Sequence, residues 1–399
     1  MSDNVTNPDE NTAYEDVEPR QNVRRGRIRG PRDWWHNHAP WWARWIIYLA
    51  LIALALFVVP REFVGAFMAP GTDWLSILTA IIGPYVLLCV GLNVVVGQAG
   101  LLDLGYVAFY AVGAYTLAFF TTAYGWSFWA TVVMGILLAG VSGVILGAPT
   151  LRLRGDYLAI VTLGFGEIVR ISAKNWDQIG GARGITNIPT PPSTPDWLSW
   201  LIDWDFGVDL APFYYLVVIL IVLVIIFAKR LQNSRVGRAW ASIREDEDAA
   251  ELMGVPTFKF KLLAFGIGAM VAGLAGSYYG SQIGYIQPNN FPFILSATIL
   301  AAVILGGSGN IPGAILGGFL VAWLPEFLRS PSLVPESVGN QLYEYRTLIF
   351  AGLLVVLMIF RPEGLWPSRQ RKAEMREGTG GMGSLGAEIP EPTSKEVSS

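Results

Sequence analysis

The stretch Ser234–Phe265 reads SRVGRAWASIREDEDAAELMGVPTFKFKLLAF and lies between two strongly apolar segments, at about 213–228 and 262–282. Arginines open it, an acidic cluster follows, and two lysines lie near its end. The acidic residues and Ala249-Ala250 favour a helix, which Gly254-Val255-Pro256 then ends. A charged helix between membrane segments predicts a loop that docks a soluble partner, although most such helices are simply solvated amphipathic surfaces.

The composition outside this stretch indicates a polytopic membrane protein. Of 399 residues, 53% are hydrophobic and only 15% charged, against about 25% charged in soluble domains. The net charge of −3 and the lack of a basic patch argue against nucleic-acid binding. Cys89 is the single cysteine, and His36 and His38 are the only histidines, so we expect no disulfides, metal site or cofactor.

The apolar segments predict an all-α bundle of about ten spans, some of them short or broken. A span needs roughly 20 apolar residues, and shorter pieces survive in lipid only where protein covers the broken backbone. The shortest candidates, at 157–171, 293–306 and 311–326, are therefore possible half-helices. The predicted spans are 45–60, 75–96, 104–123, 128–148, 157–171, 213–228, 262–282, 293–306, 311–326 and 347–360.

Lysines and arginines in the short loops predict the orientation, because such residues concentrate on the cytoplasmic side. With ten spans, all four basic groups fall on one side, so we expect both termini in the cytoplasm. The four groups are Arg24, Arg25, Arg27, Arg29 and Arg32; Arg152 and Arg154; Lys229, Arg230, Arg235 and Arg238; and Arg361, Arg369, Arg371 and Lys372.

The domain organisation follows from these spans. Residues 1–44 form a polar cytoplasmic tail, 45–362 the transmembrane domain, and 363–399 a disordered cytoplasmic tail. The cytoplasmic loop covers 229–261, and a long external segment covers 172–212. The external segment is acidic and rich in proline and tryptophan, which is typical either of an interfacial aromatic belt or of a platform for a soluble partner.

Small residues recur every fourth position on several spans and predict tight helix packing. The stripes are Gly135, Ala139, Gly143 and Gly147; Gly268, Ala272, Gly276 and Gly280; and Gly313 and Gly317. A weak self-similarity also links 92–118 with 300–323, each with an apolar run, a glycine break and a Gly/Ala-rich span. Broken helices in internal repeats form the central sites of many transporters, but shared membrane composition also explains the likeness.

Polar residues inside membrane spans are costly and therefore suggest function. A zwitterionic substrate needs donors for its carboxylate and acceptors for its ammonium group. The candidate pathway residues are Asn93, Gln98, Asp103, Glu167 and Arg170. The simpler interpretation is that Glu167 and Arg170 pair with each other and that Asp103 lies at the cytoplasmic interface. No phosphate-binding loop or hydrolase motif occurs in the chain, so ATP-driven transport requires a separate ATPase.

Four segments in order resemble the branched-chain amino-acid permease family of ABC importers, and most closely the longer of its two permease subunits. They are LNVVVGQAGLLDLGYVAFYAVGAY (92–115), LRLRGDYLAIVTLGFGEIVRI (151–171), SRVGRAWASIREDEDAAELMGV (234–255) and ILGGSGNIPGAILGG (304–318). The third resembles a coupling loop of the EAA-x-x-x-G type, with Asp248 in place of Glu. The resemblance covers about 70–370. Asp103 and Tyr106 depart from it, since many relatives have Ser and His there.

The resemblance implies a transport subunit in a bacterial inner membrane rather than an enzyme. Its partners are a second permease subunit, two cytoplasmic ATPases that bind the ATP, and an external amino-acid-binding protein. The substrate is a branched-chain amino acid, moved by alternating access. The residues implied in ATPase coupling are Arg244, Glu245, Asp248, Ala249, Ala250 and Gly254.

Three alternatives stay open at this point. Close relatives import urea or other small amides, and the pathway residues are compatible with those substrates. An ion-coupled secondary transporter requires membrane-buried carboxylates, for which Asp103 and Glu167 are the candidates. A membrane scaffold or receptor is disfavoured by the glycine-broken spans.

Overall fold

The computed structural model describes most of the predicted transmembrane domain, and every described residue belongs to one unit, 56–399. The described residues are 59–68, 73–151, 156–193, 205–206, 209–328, 345, 348, 351–352, 355–356, 359–360 and 364–366. The predicted tail 1–44, the span 45–60, most of the span 347–360 and most of the tail 363–399 lie outside them.

Helices dominate the described part of the chain. They are α1 Glu62–Met68, α2 Trp74–Gln98, α3 Tyr106–Tyr124, α4 Phe128–Thr150, α5 Asp156–Asn175, α6 Ala211–Gln232, α7 Arg235–Glu245, α8 Glu247–Leu252, α9 Thr257–Ile283, α10 Phe293–Gly306 and α11 Ile311–Phe327. Two short strands, β1 Ile185–Thr186 and β2 Tyr285–Ile286, pair antiparallel. Helix α2 changes to π-helical geometry at Leu78–Ile82 and Asn93–Gln98.

Six helices in the described ranges are long and apolar enough to cross a membrane, which confirms an all-α polytopic protein. They are α2, α3, α4, α6, α9 and the segment Pro288–Gly306 that contains α10. Helix α5 has 20 residues, about 30 Å at 1.5 Å per residue, so the span predicted at 157–171 is longer than a half-helix. Helix α11, with 17 residues, is the shorter apolar piece that the sequence predicted.

Helix α9 lies at the centre of the bundle because small residues cover two of its faces. On one face the glycine stripe meets α2 and α3: a Cβ at Gly276 would overlap the carbonyl oxygen of Tyr110. The other face packs on α4, where a Cβ at Gly143 would lie 2.6 Å from that of Ala269. The predicted stripes therefore bring backbones into contact, but the α9 stripe faces α2 and α3 rather than α4.

Glycines also bring the backbones of α10 and α11 into contact. A Cβ at Gly317 would overlap the carbonyl oxygen of Ala302, and Gly306 and Gly313 leave each other no room for a side chain. The two helices consequently pack backbone to backbone as a tight antiparallel pair.

The predicted external segment starts four residues later than expected, because α5 continues to Asn175. Its first part folds onto the end of α9: Ile185 pairs with Ile286, and the N–H of Ile188 donates to Gly284 O at 3.2 Å. Trp176 is 55% exposed. The other three tryptophans, at 197, 200 and 204, lie outside the described residues, so both interpretations of this segment stay open.

Candidate functional site

The loop 229–261 folds as two helices that meet at Asp246. Ser234 caps α7 by accepting the N–H of Val236 at 3.1 Å, and Asp246 caps α8 by accepting the N–H of Ala249 at 3.0 Å. Asp246 itself has extended backbone angles, so residues 244–254 do not form one continuous helix. Gly254, with φ of +85°, ends α8 as predicted, since a left-handed residue after a helix favours glycine.

Buried contacts hold this loop against the start of α9. Trp240 is fully buried, and its Nε1 donates to Phe260 O at 2.7 Å. Lys261 forms an ion pair with Glu247, and Ala250 is buried on the inner face of α8. The sequence contains a signal for this burial, because Trp240 is a single large aromatic residue in a charged helix. The prediction from the charges alone did not include it. The loop is therefore a fixed part of the fold.

The outer side of the loop presents an apolar tip beside acidic side chains. Leu252 is 88% and Met253 85% exposed, while Glu245 and Asp248 are also exposed. A Cβ at Gly254 would meet no atom of the chain within 4 Å. Exposed apolar residues next to charges are typical of a surface that binds another protein.

Arg244 points inward from the loop. Its Nη1 donates to Gly97 O at 2.6 Å, and a Cβ at Gly100 would lie 3.0 Å from its Cγ. Gly97 lies in the last, π-helical turn of α2 and Gly100 in the linker to α3, and together they form the first glycine break. Arg244 therefore joins the loop to this break, a contact across 147 residues of chain that the charge pattern did not predict.

The two glycine breaks that the sequence paired meet each other at the end of the bundle that carries the loop, here called the loop end. Asn93, fully buried, accepts the N–H of Gly309 on Oδ1 at 2.8 Å. A Cβ at Gly97 would overlap both Asn93 Oδ1 and the Gly309 nitrogen. Gln232 Nε2 also approaches Gly309 O, at 3.5 Å. Each break is a helix–glycine–helix element. An internal repeat linking 92–118 with 300–323 stays a prediction.

A short C-terminal segment covers the second glycine break, which is the linker 307–310 between α10 and α11. The N–H of Leu365 donates to Leu305 O at 2.7 Å, and the N–H of Trp366 donates to Gly306 O at 3.0 Å. Asn310 Nδ2 completes the contact by donating to Trp366 O at 2.9 Å. Carbonyls at the end of α10 thus find partners, and the folded region extends beyond the predicted boundary at 362.

A cavity of about 210 Å³ opens between α7 and the two breaks. Its polar side chains are Gln98, Gln232, Arg238, Arg244 and Glu245, and its walls include the backbones of Gly97, Gly237 and Gly309. Gln98 is 7% exposed, and both its amide nitrogen and oxygen are buried without a hydrogen-bond partner. Of the five candidate pathway residues, Gln98 lines this cavity, whereas Asn93 contacts Gly309 where the two breaks meet.

Asp103 and Tyr106 occupy buried positions after the first break. Asp103 lies in the linker 99–105, where Oδ1 accepts the N–H of Gly105 at 2.8 Å and Oδ2 is buried without a partner. Burial raises the pKa of Asp103 to about 7, although the hydrogen bond from the Gly105 N–H opposes this rise. Tyr106 donates to Gly268 O at 3.0 Å. Asp103 is therefore buried within the protein, and Tyr106 ties α3 to α9.

Glu167 and Arg170 lie elsewhere. Arg170 Nε and Nη2 donate to Glu167 Oε2 at 2.9 and 2.7 Å, which confirms the predicted pair on one face of α5. The pair lines a narrow cleft between α3, α5 and α10, with Ser296 at its side. Their side chains are about a third exposed. The five candidate pathway residues thus fall into separate places instead of one site.

Comparisons with known proteins identify the family. The family model described as the permease component of the branched-chain amino acid transport system matches residues 75–359. The high-affinity branched-chain amino acid transport system permease protein LivM of Escherichia coli is 41% identical over 345 residues, covering 83% of this chain and 77% of that protein.

Two more distant relatives also match the chain, each over a smaller part of its length. The probable LivM of Methanocaldococcus jannaschii is 27% identical over 257 residues, which cover 59% of this chain and 68% of that protein. The E. coli permease protein LivH is 34% identical over 135 residues, which cover 34% of this chain and 41% of that protein. No solved structure matches the chain. The chain therefore belongs to the branched-chain amino acid transport system permease family.

Proposed function

We propose that this chain is the longer of two permease subunits of an ABC importer for branched-chain amino acids in a bacterial inner membrane. Membership of the permease family and the six apolar helices support this function. A second permease subunit completes the pathway. The observation that carries the proposal is the loop Arg235–Gly254, whose tip is exposed while Arg244 holds the first glycine break.

The coupling mechanism follows from that loop. Two cytoplasmic ATPases, which bind and hydrolyse the ATP, dock on the exposed tip at Leu252 and Met253 and contact Glu245 and Asp248. When ATP closes the ATPase pair, the movement passes through α7 and Arg244 to Gly97. The first break then shifts against the second, where Asn93 holds Gly309 at 2.8 Å. An external binding protein delivers the amino acid at the opposite end. The chain itself needs no cofactor.

Reconstitution tests this function. The chain, a second permease subunit, two ATPases and a binding protein are placed in proteoliposomes, and uptake of labelled leucine and urea is measured with and without ATP. We expect ATP-dependent leucine uptake that ionophores do not abolish. Uptake of urea alone, or uptake that persists without the ATPases and collapses with ionophores, would contradict the proposal.

Gly254 allows a sharper test of the docking surface. Gly254→Leu strains a left-handed residue by about 1–2 kcal/mol and places a bulky side chain on the proposed ATPase surface. We expect normal membrane insertion but at least tenfold slower uptake. Gly125→Leu is the matched control, because Gly125 has φ of +64° and equally open space but lies after α3 at the other end of the bundle. Equal effects of the two substitutions would reject Gly254 as part of the docking surface.

A further inference from the structure

Helix α5 carries an ion pair at a depth where lipid offers no hydrogen-bond partner. Glu167 lies about 16 Å from the start of this 20-residue helix, near its middle, and Arg170 follows one turn later. Both hydrogen bonds between them end on Glu167 Oε2, so within the described residues Glu167 Oε1 and Arg170 Nη1 have no partner. Because lipid tails cannot hydrogen-bond, charges at this depth are unfavourable unless protein or water covers them.

The surface around the pair is apolar and exposed. Ile160, Ile168 and Ile171 point away from the bundle on α5, whereas Thr162 on the opposite side of the helix is fully buried. Phe293, at the start of α10, borders the same cleft as the pair and is partly exposed. A few polar groups among exposed apolar side chains are typical of a surface that packs against another protein.

Two other outward faces have the composition expected for contact with lipid. Helix α4 exposes Val133 and Val141 at its middle and contains no charged residue. The charged residues of α6, Lys229 and Arg230, lie in its last turn, where they can reach the membrane surface. Among the described helices of membrane-spanning length, α5 alone has charges near its middle. Lipid therefore suits the outer faces of α4 and α6 but not that of α5.

We propose that this surface, here called the α5 face, packs against the second permease subunit. The α5 face consists of Ile160, Glu167, Ile168, Arg170, Ile171 and Phe293. The inference rests on the proposed function, which supplies that subunit. Polar groups of the partner bond to Glu167 Oε1 and Arg170 Nη1, and its apolar side chains cover the isoleucines. The pair also sets the register between the subunits, because a shifted partner leaves buried charges without hydrogen bonds.

Photo-crosslinking tests the contact directly. The photoreactive residue p-benzoylphenylalanine replaces Ile168 on the α5 face or, as the matched control, Val141 on α4. These two apolar side chains are 63% and 53% exposed, and each lies near the middle of its helix. The complex of both permeases and both ATPases is irradiated in nanodiscs, and the products are identified by mass spectrometry. We expect the product with the second permease to be about tenfold more abundant from position 168 than from 141.

A double substitution tests the role of the ion pair. Glu167→Leu combined with Arg170→Leu removes both charges together, so neither is left alone in the membrane. The chain should insert and unfold at a temperature no lower than the wild type, whereas its association with the second permease should weaken about tenfold. Titration of the labelled second permease in nanodiscs measures the association. Val133→Leu combined with Val141→Leu on α4 is the control and should associate as the wild type does.

The results separate this contact from the proposed function. A complex that imports leucine with ATP, but in which position 168 crosslinks to lipid, to a second copy of this chain or within the chain, would overturn the contact alone. Equal yields from positions 168 and 141, or unchanged association of the double variant at 167 and 170, would also overturn it. Crosslinks to the second permease in a complex that does not import leucine would support the contact and overturn the proposed function instead.

Discussion

The packed centre of the bundle and its loop end both depend on glycine, for opposite physical reasons. At the centre, Gly276 and Gly143 let helix backbones approach with nothing between them. At the loop end, Gly100, Gly307 and Gly309 have φ between +74° and +112° and interrupt the helices. At the centre, glycine removes the space between helices. At the loop end, glycine frees backbone N–H and C=O groups from helical hydrogen bonds and leaves a cavity with polar walls.

This difference indicates which contacts in the molecule are weakest. The centre has interlocked backbones and few unsatisfied polar atoms among the described residues, so displacement there costs packing over a large area. The loop end is joined by single hydrogen bonds, such as Asn93 to Gly309 and Arg244 to Gly97, each with a net contribution of about 0.5–3 kcal/mol. Contacts of that strength can break and reform during a transport cycle.

The largest effect is expected at the centre. Gly276→Ala places a Cβ on the carbonyl oxygen of Tyr110, an immovable backbone atom, and should destabilise the fold by about 3 kcal/mol. Thermal unfolding in detergent measures this loss. Gly266→Ala on the same helix is the control, since its Cβ would lie 3.4 Å from the nearest atom and alanine favours helix. Equal stability of the two variants would mean that backbone contact does not hold the centre.

A smaller loss of stability, with a clear loss of transport, is expected at the first break. Gly97→Ala pushes a methyl group between Asn93 Oδ1 and the Gly309 nitrogen and should cost about 1–2 kcal/mol through that hydrogen bond. Uptake should fall at least tenfold while the protein still inserts. Gly164→Ala, in open space on α5, should leave uptake unchanged. Normal uptake by Gly97→Ala would show that the breaks need not meet.

The smallest effect on stability is expected at Arg244. Arg244→Gln weakens the contact with Gly97 O, so the loop should stay folded on Trp240 while its link to the break is lost. ATP hydrolysis by the assembled complex should continue, and uptake per ATP should fall about tenfold, equivalent to about 1.4 kcal/mol of coupling. Arg235→Gln, exposed at the start of α7, is the control. A proportional fall in hydrolysis and uptake would instead indicate impaired ATPase docking.

The local sequence was sufficient for much of this picture. Apolar length placed the spans that fall in the described ranges, and the charged run at 244–248 with Gly254 placed a helical loop that ends where predicted. The four-residue spacing of glycines predicted close helix packing, and the i,i+3 spacing of Glu167 and Arg170 predicted their ion pair. In each case the feature depends on residues that are close in sequence, so the local sequence pattern is sufficient to predict it.

The tertiary structure alone decided how the distant pieces combine. Asn93 meets Gly309 across 216 residues, Arg244 turns inward to Gly97, and Leu365 and Trp366 cap the end of α10. The rotation of each helix about its axis determines these contacts, and that rotation follows from packing against every neighbour at once. The sequence therefore determined a membrane bundle with a charged helical loop between two of its spans. Only the packed fold connected that loop to the glycine breaks and opened a polar cavity between them.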